Sequence, residues 1–169
     1  MPSSASSQMK GLFASLFILA FALALVPAVS SGAAAPFTSV TGSGWRGNIS
    51  TPTTPIHHFV VSAHSGPEGV SGIYSLSSPA NPLLDFTGRV TCLDVVGDHA
   101  IVGGVVTGGG EPGQIGTGFA VGFIDGGSGS DRQTFTDVEI AAPVDCAAEQ
   151  SLFTLMLFPV LNGNVVVNG

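Results

Sequence analysis

From Ile56 onward, apolar and polar residues alternate in short runs separated by Gly, Pro, Ser and Asp, and helical spacing is nearly absent. Period two is the signature of half-buried strands, because successive side chains point to opposite faces of a pleated chain. IHHFVVSAH places Phe59, Val61 and Ala63 on one face and His58, Val60, Ser62 and His64 on the other. VSGIYSL, DFTGRVTCLDVV, HAIVGGVVT, TGFAVGFID, QTFTDVEI and the C-terminal LNGNVVVNG continue the pattern. In DFTGRVTCLDVV, Phe86, Val90 and Cys92 share a face while Leu93 and Val95 share the opposite one. That demands either burial between layers or a bulge that switches sides. In TGFAVGFID, Phe119, Val121 and Phe123 point inward, and the small face of Gly118, Ala120 and Gly122 belongs under another strand or backbone. CAAEQSLFTLMLF fits a short helix or a further strand equally well. The expected fold is all-β: a single antiparallel β-sandwich, or partly closed barrel, of about seven to eight strands.

The N-terminus has a different character. Residues 12–26, LFASLFILAFALALV, form an apolar run broken only by Ser15, preceded by Lys10 and followed by Pro27 and small residues. A basic start, a short apolar core and a small-residue tail describe a secretory signal helix. The run is short for a bilayer span of about 20 residues. Residues 1–34 are therefore read as a cleaved signal peptide, with the cut between Gly32 and Ala35 and Ala28 as the alternative position. Residues 35–55, rich in Ser, Thr, Gly and Pro, read as a flexible leader with at most a short edge strand near Trp45. The β-domain then spans 56–169.

Charge excludes one class of partner. The chain carries 11 acids against four bases, for a net charge of −7. Lys10 leaves with the signal, so only Arg46, Arg89 and Arg132 remain. Three scattered bases cannot neutralise a nucleic-acid backbone, nor hold an anionic membrane surface. No nucleic-acid partner and no stable membrane insertion of the mature chain are expected. The two cysteines, Cys92 and Cys146, would meet an oxidising compartment after export. An even count there points to a structural disulfide, with two buried free thiols as the alternative.

A set of short motifs carries a resemblance. Gly88-Arg89-Val90-Thr91-Cys92-Leu93, the turn at Gly97, Ala100, Val102-Gly103-Gly104, Gly116-Thr117, Phe119 to Gly126, Asp131, Phe135, Asp145-Cys146 and Gly163-Asn164-Val165-Val166-Val167 make up the pattern. Together they resemble a group of small secreted β-rich domains of uncharacterised actinobacterial proteins, some of which follow choice-of-anchor-type modules. The likeness covers roughly residues 56–168 and departs in the apolar stretch 147–161. It implies the β-rich fold and pairing of the two cysteines, and it carries no activity.

Candidate chemistry is sparse. Gly126 to Asp131 nearly matches the calcium-binding nonapeptide GGxGxDxUx, but Gln133 stands where its apolar anchor belongs, and there is one copy. A glycine-rich hairpin loop is the plainer reading; were calcium bound, Asp125 and Asp131 would supply carboxylates. His58 and His64 share a face but lie ~20 Å apart along an extended strand. With His57 and His99, they read as polar surface residues. No GxSxG elbow is present, no acid pair stands out, and one Trp and one Tyr give no sugar platform. No catalytic, cofactor or metal residues are assigned. The expected product is a secreted, non-catalytic protein, structural or adhesive at the cell envelope or outside the cell, with an envelope or extracellular protein as its possible partner. A small-molecule or calcium-binding module is the first alternative, and a small extracellular hydrolase the second.

Overall fold

The structure, a computed structural model, describes residues 37–48 and 50–169. The expected signal helix at 1–34 lies outside these. The fold is all-β, as the alternation requires. Its strands are β1 (Thr38–Gly47), β2 (Pro55–Gly66), β3 (Gly69–Ser77), β4 (Phe86–Val96), β5 (His99–Gly109), β6 (Gly118–Ile124), β7 (Arg132–Thr134), β8 (Asp137–Ile140) and β9 (Leu157–Asn168). Every pairing is antiparallel. The order β5-β4-β3-β2-β1-β9-β7-β6 returns to β5 through a β5–β6 pairing, so eight strands close a barrel, and β8 adds a second partner along β6. Of the two expected arrangements, the closed barrel is the one adopted, and closure removes the exposed strand edges an open sheet would leave.

The leader expected at 35–55 requires correction, because Thr38–Gly47 is a full barrel strand paired with β2 on one edge and β9 on the other. The Ser/Gly richness that reads as flexibility is close packing. A side chain at Gly42 would run into the Asn164 carbonyl, and one at Gly44 would reach Val160 Cγ1 at 2.8 Å. The domain therefore begins near residue 38 rather than 56.

Inside the barrel, alternate residues interleave. Phe59, Val61, Ala63, Tyr74, Phe119 and Phe123 are buried, with Val40, Val102, Val121 and Val165 around them. The side switch in β4 is a bulge. The register shifts between Val90 and Cys92, so Leu93 and Val95 pack on the same interior as Phe86 and Val90, while Cys92 turns outward. There a second, smaller core forms on the outer wall from Ile101, Ala120, Val144, Cys146 and Leu152. The small face of β6 is covered as expected. Ile140 and Val144 lie over Gly118, and Phe153 lies over Gly122. The ambiguous 146–158 stretch splits into a 3₁₀ helix, Ala148–Thr154, followed by the start of β9. Cys92 and Cys146 are bonded, closing a sequence separation of 54.

The 125–131 loop has a structural account. β9 pairs with β7 only through Leu157–Pro159, and the loop runs beside the rest of its edge. Asp131 Oδ2 accepts from Val165 N at 2.7 Å and Oδ1 from Gly126 N at 3.2 Å, while Asp125 Oδ2 accepts from Val167 N at 3.2 Å and Oδ1 from Gly127 N at 3.1 Å. Two carboxylates thus close the seam where the backbone ladder stops. Asp131 is only 2 % exposed. Asp131→Asn keeps the shape but removes the charge and sets an NH₂ against one of the two N–H groups. Urea unfolding should show a loss of roughly 1.5–3 kcal/mol, the worth of one charge-assisted bond. A loss below about 0.5 kcal/mol would contradict the seam account.

Candidate functional site

An eight-stranded barrel is just wide enough to be filled by side chains or to hold one small ligand. This interior is filled through its middle and open at one end, where β1 and β3 finish and β2, β4 and β6 begin. Three chain segments build that mouth. The first is the 78–85 loop, with a short 3₁₀ turn at Pro82–Leu84 whose Asn81 side chain accepts from Leu83 N. The second is the 110–117 loop. It starts through left-handed Gly109 and Gly110, where a side chain would collide with the backbone around Asp85 and with Gln114 Oε1. The third is the break between β7 and β8 at Phe135 and Thr136.

Two concavities lie at this end, and His57 and Leu84 line both. An inner one of about 110 Å³ lies among Arg46, His57, Phe86, Gln114, Phe135 and Thr136, with Leu76, Leu84 and Val138 completing its walls. An outer cleft of about 370 Å³ is lined by Trp45, Pro55, Ile56 and the 78–81 backbone segment, and shares His57 and Leu84 with the inner cavity. The outer cleft falls in the size range of pockets that take small organic molecules, and the inner cavity is smaller. Leu83, Leu84, Ile115 and Phe135 stand exposed on the loops at this same end.

The polar groups of the inner cavity are under-satisfied. Arg46 lies on the inward parity of β1, in step with Val40, and is only 4 % exposed. Its Nε and Nη1 are buried and find no acceptor. The guanidinium carbon sits 4.5 Å from the Phe158 ring centre and 5.6 Å from that of Phe135. These faces attract the cation but do not accept its in-plane N–H groups. Burial lowers the Arg46 pKa from its usual value. Among the described residues the one contact between a basic and an acidic side chain is the hydrogen bond of His99 Nδ1 with Asp98 Oδ1, 2.7 Å apart on an exposed turn.

His57 faces inward with Phe59, so the expectation of four surface histidines fails at this position. Its Nδ1 is buried without a partner. Burial first, then the Arg46 charge, push its pKa down from 6.5 to about 4, against a weaker opposing pull from Asp85. The ring is therefore neutral at pH 7. Beneath it, Tyr74 OH accepts from Gln133 Nε2 at 2.9 Å and lies 3.0 Å from Thr136 Oγ1. Burial raises the phenol to about 12, so it keeps its proton and ties β3 to the β7–β8 break.

The depressed His57 pKa carries a sign. The unfolded chain protonates this ring near 6.5 and the folded chain only near 4, so the unfolded state binds more protons in between. Stability is full above about pH 6.5 and falls as pH drops toward 4. Because the ring is partly exposed, the expected loss is on the order of 1–2 kcal/mol, less than the shift alone would give. Thermal midpoints of the wild type and His57→Gln, followed from pH 7 to 4, should converge as pH falls. Parallel curves would show that His57 does not carry the slope.

The other sequence candidates lie apart from the mouth. Asp125 and Asp131 serve the seam, which accounts for both acids without a cation. Among the described residues no group of three His, Cys, Asp or Glu is placed to hold a metal ion. Ser71 Oγ lies 2.8 Å from His64 Nε2 on the exposed β2–β3 face, but His64 has no carboxylate partner among the described residues. The two cysteines are committed to their bond. Sequence reasoning passed over Arg46 and His57. The available signal was parity: Arg46 falls six residues after Val40, and His57 two before Phe59, each in step with an apolar inward position. Comparison with protein families, curated proteins and solved structures gave no match to this chain.

Proposed function

We propose that the protein is an exported, non-catalytic binding module that takes a small organic molecule into one mouth of its barrel. The observation that carries this reading is the buried Arg46 guanidinium, whose Nε and Nη1 find no acceptor, on the lining of a cavity at the barrel mouth. Burying a charge without a partner costs several kcal/mol. A purely structural barrel would gain by placing an apolar residue there. The geometry therefore favours the small-molecule alternative over the structural or adhesive role expected from sequence. Export is supported by the apolar run at 12–26 and by the disulfide. Among the described residues no helix is long and apolar enough to cross a membrane.

Native and denaturing mass spectrometry of the protein recovered from the medium of the cells that produce it tests this. The denatured mass should place the start of the mature chain between Gly32 and Ala35. The native spectrum should show a retained small molecule that is lost on denaturation. Bare protein in repeated preparations, with no small organic compound raising its thermal midpoint, would overturn the reading.

A further inference from the structure

We infer that the ligand of the barrel mouth is an organic monocarboxylate, its carboxylate held by the Arg46 guanidinium and its apolar body lying along Leu76, Phe86 and Val138. This rests on reading the mouth as a ligand site and goes further, to the chemistry of what enters.

Charge fixes the first part. The inner cavity presents one cation, Arg46, whose buried Nε and Nη1 lack acceptors. His57, the other ionisable group on its wall, is neutral at pH 7. One full positive charge matches a monoanion. A phosphate dianion would bring twice that charge and three oxygens in need of donors. A cationic ligand would be repelled, and a neutral one would leave the guanidinium as it stands. Arginine suits a carboxylate because its planar fork of N–H donors fits the two oxygens.

The walls fix the second part. Leu76, Leu84, Phe86, Phe135 and Val138 are apolar and offer no partners to a polyhydroxylated or multiply charged body. The remaining polar groups are few and local: the His57 Nδ1 that lacks a partner, the Gln114 amide, whose Nε2 donates to Glu139 Oε1 at 3.5 Å, and the Thr136 hydroxyl bonded to Tyr74. They are enough to orient one carboxylate and too few to solvate a sugar. A short aliphatic or aromatic acid meets both demands.

Trp45, the only tryptophan of the chain, lines the outer cleft and supplies the readout. At pH 7 the full-length mature protein is titrated with benzoate and hexanoate, with their neutral counterparts benzyl alcohol and hexan-1-ol, and with inorganic phosphate. The expected result is a saturable change in Trp45 emission with both carboxylates, with alcohols and phosphate at least about tenfold weaker. Arg46→Gln should weaken the carboxylates by about the same factor and leave the alcohols unchanged. Alcohols that bind as tightly as the acids would overturn the carboxylate assignment while leaving the mouth a binding site, as would phosphate that binds more tightly. Silence from every organic probe would count against the ligand-site reading itself. If Arg46→Gln does not fold, the comparison of acids with alcohols on the wild type still decides.

Discussion

Phe119→Ala should destabilise the barrel by about 3–5 kcal/mol, the range for truncating a fully buried aromatic ring whose site cannot collapse. Phe119 has no exposed surface. Its ring stacks on Tyr74 with centroids 5.5 Å apart and leans on Phe86 at 5.6 Å. It also fills the space over Gly88 and Gly104, two β-strand positions with no side chain of their own; a Cβ at Gly104 would meet Phe119 Cε1 at 2.8 Å. Backbone on that side cannot move in to fill the gap, because β4 and β5 are already paired there. The loss should reach the mouth as well, since Tyr74 holds Thr136 and Phe86 walls the inner cavity. Urea unfolding followed by Trp45 emission measures both the midpoint and the native signal. A loss below about 1.5 kcal/mol would mean that the ring is not the packed centre described here.

The inward parity of Phe119, Val121 and Phe123 was readable because β6 alternates large and small residues without interruption, and the smallness of its other face correctly announced a cover. The side switch at Thr91 was readable as one of two options, since apolar residues on both parities demand either two cores or a bulge. Here a bulge serves both cores. The strand at Thr38–Gly47 was not legible, because glycines chosen for close approach to β9 and glycines of a loose linker look alike in one dimension. Arg46 and His57 were only half readable, for a related reason. Their parity is plain, but their burial depends on β9, β7 and the 110–117 loop closing over them, and those contacts are set by barrel closure rather than by local pattern.

Removing the Cys92–Cys146 bond, as the double substitution Cys92→Ser with Cys146→Ser, should cost roughly 4 kcal/mol. The chain-entropy account gives that figure for releasing a loop of about this sequence separation, 54 residues, in the unfolded state. The native side of the balance matters too. The bond ties the segment after β8 to the outer wall at Gly103, where an added Cβ would lie 2.7 Å from Cys92 Sγ. Through that tie, Val144 and Leu152 are kept over Ile101 and Ala120. The variant should therefore unfold at lower urea, and its amides at Ile101 and Ala120 should exchange faster with solvent. A loss under about 1 kcal/mol with unchanged exchange would show that the outer core holds itself in place.

As a ligand site rather than packing, the barrel mouth around Arg46 must respond to an organic carboxylate. Nitrogen–proton correlation spectra of the labelled protein during titration with benzoate test it most directly, because they report the side-chain Nε–H of Arg46 itself. That resonance should shift saturably together with the backbone amides of Gln114 and Thr136, while Gly69 and Gly97 in turns at the opposite end stay fixed. Shifts confined to the far turns, or an Arg46 Nε–H that does not move at saturating benzoate, would contradict it.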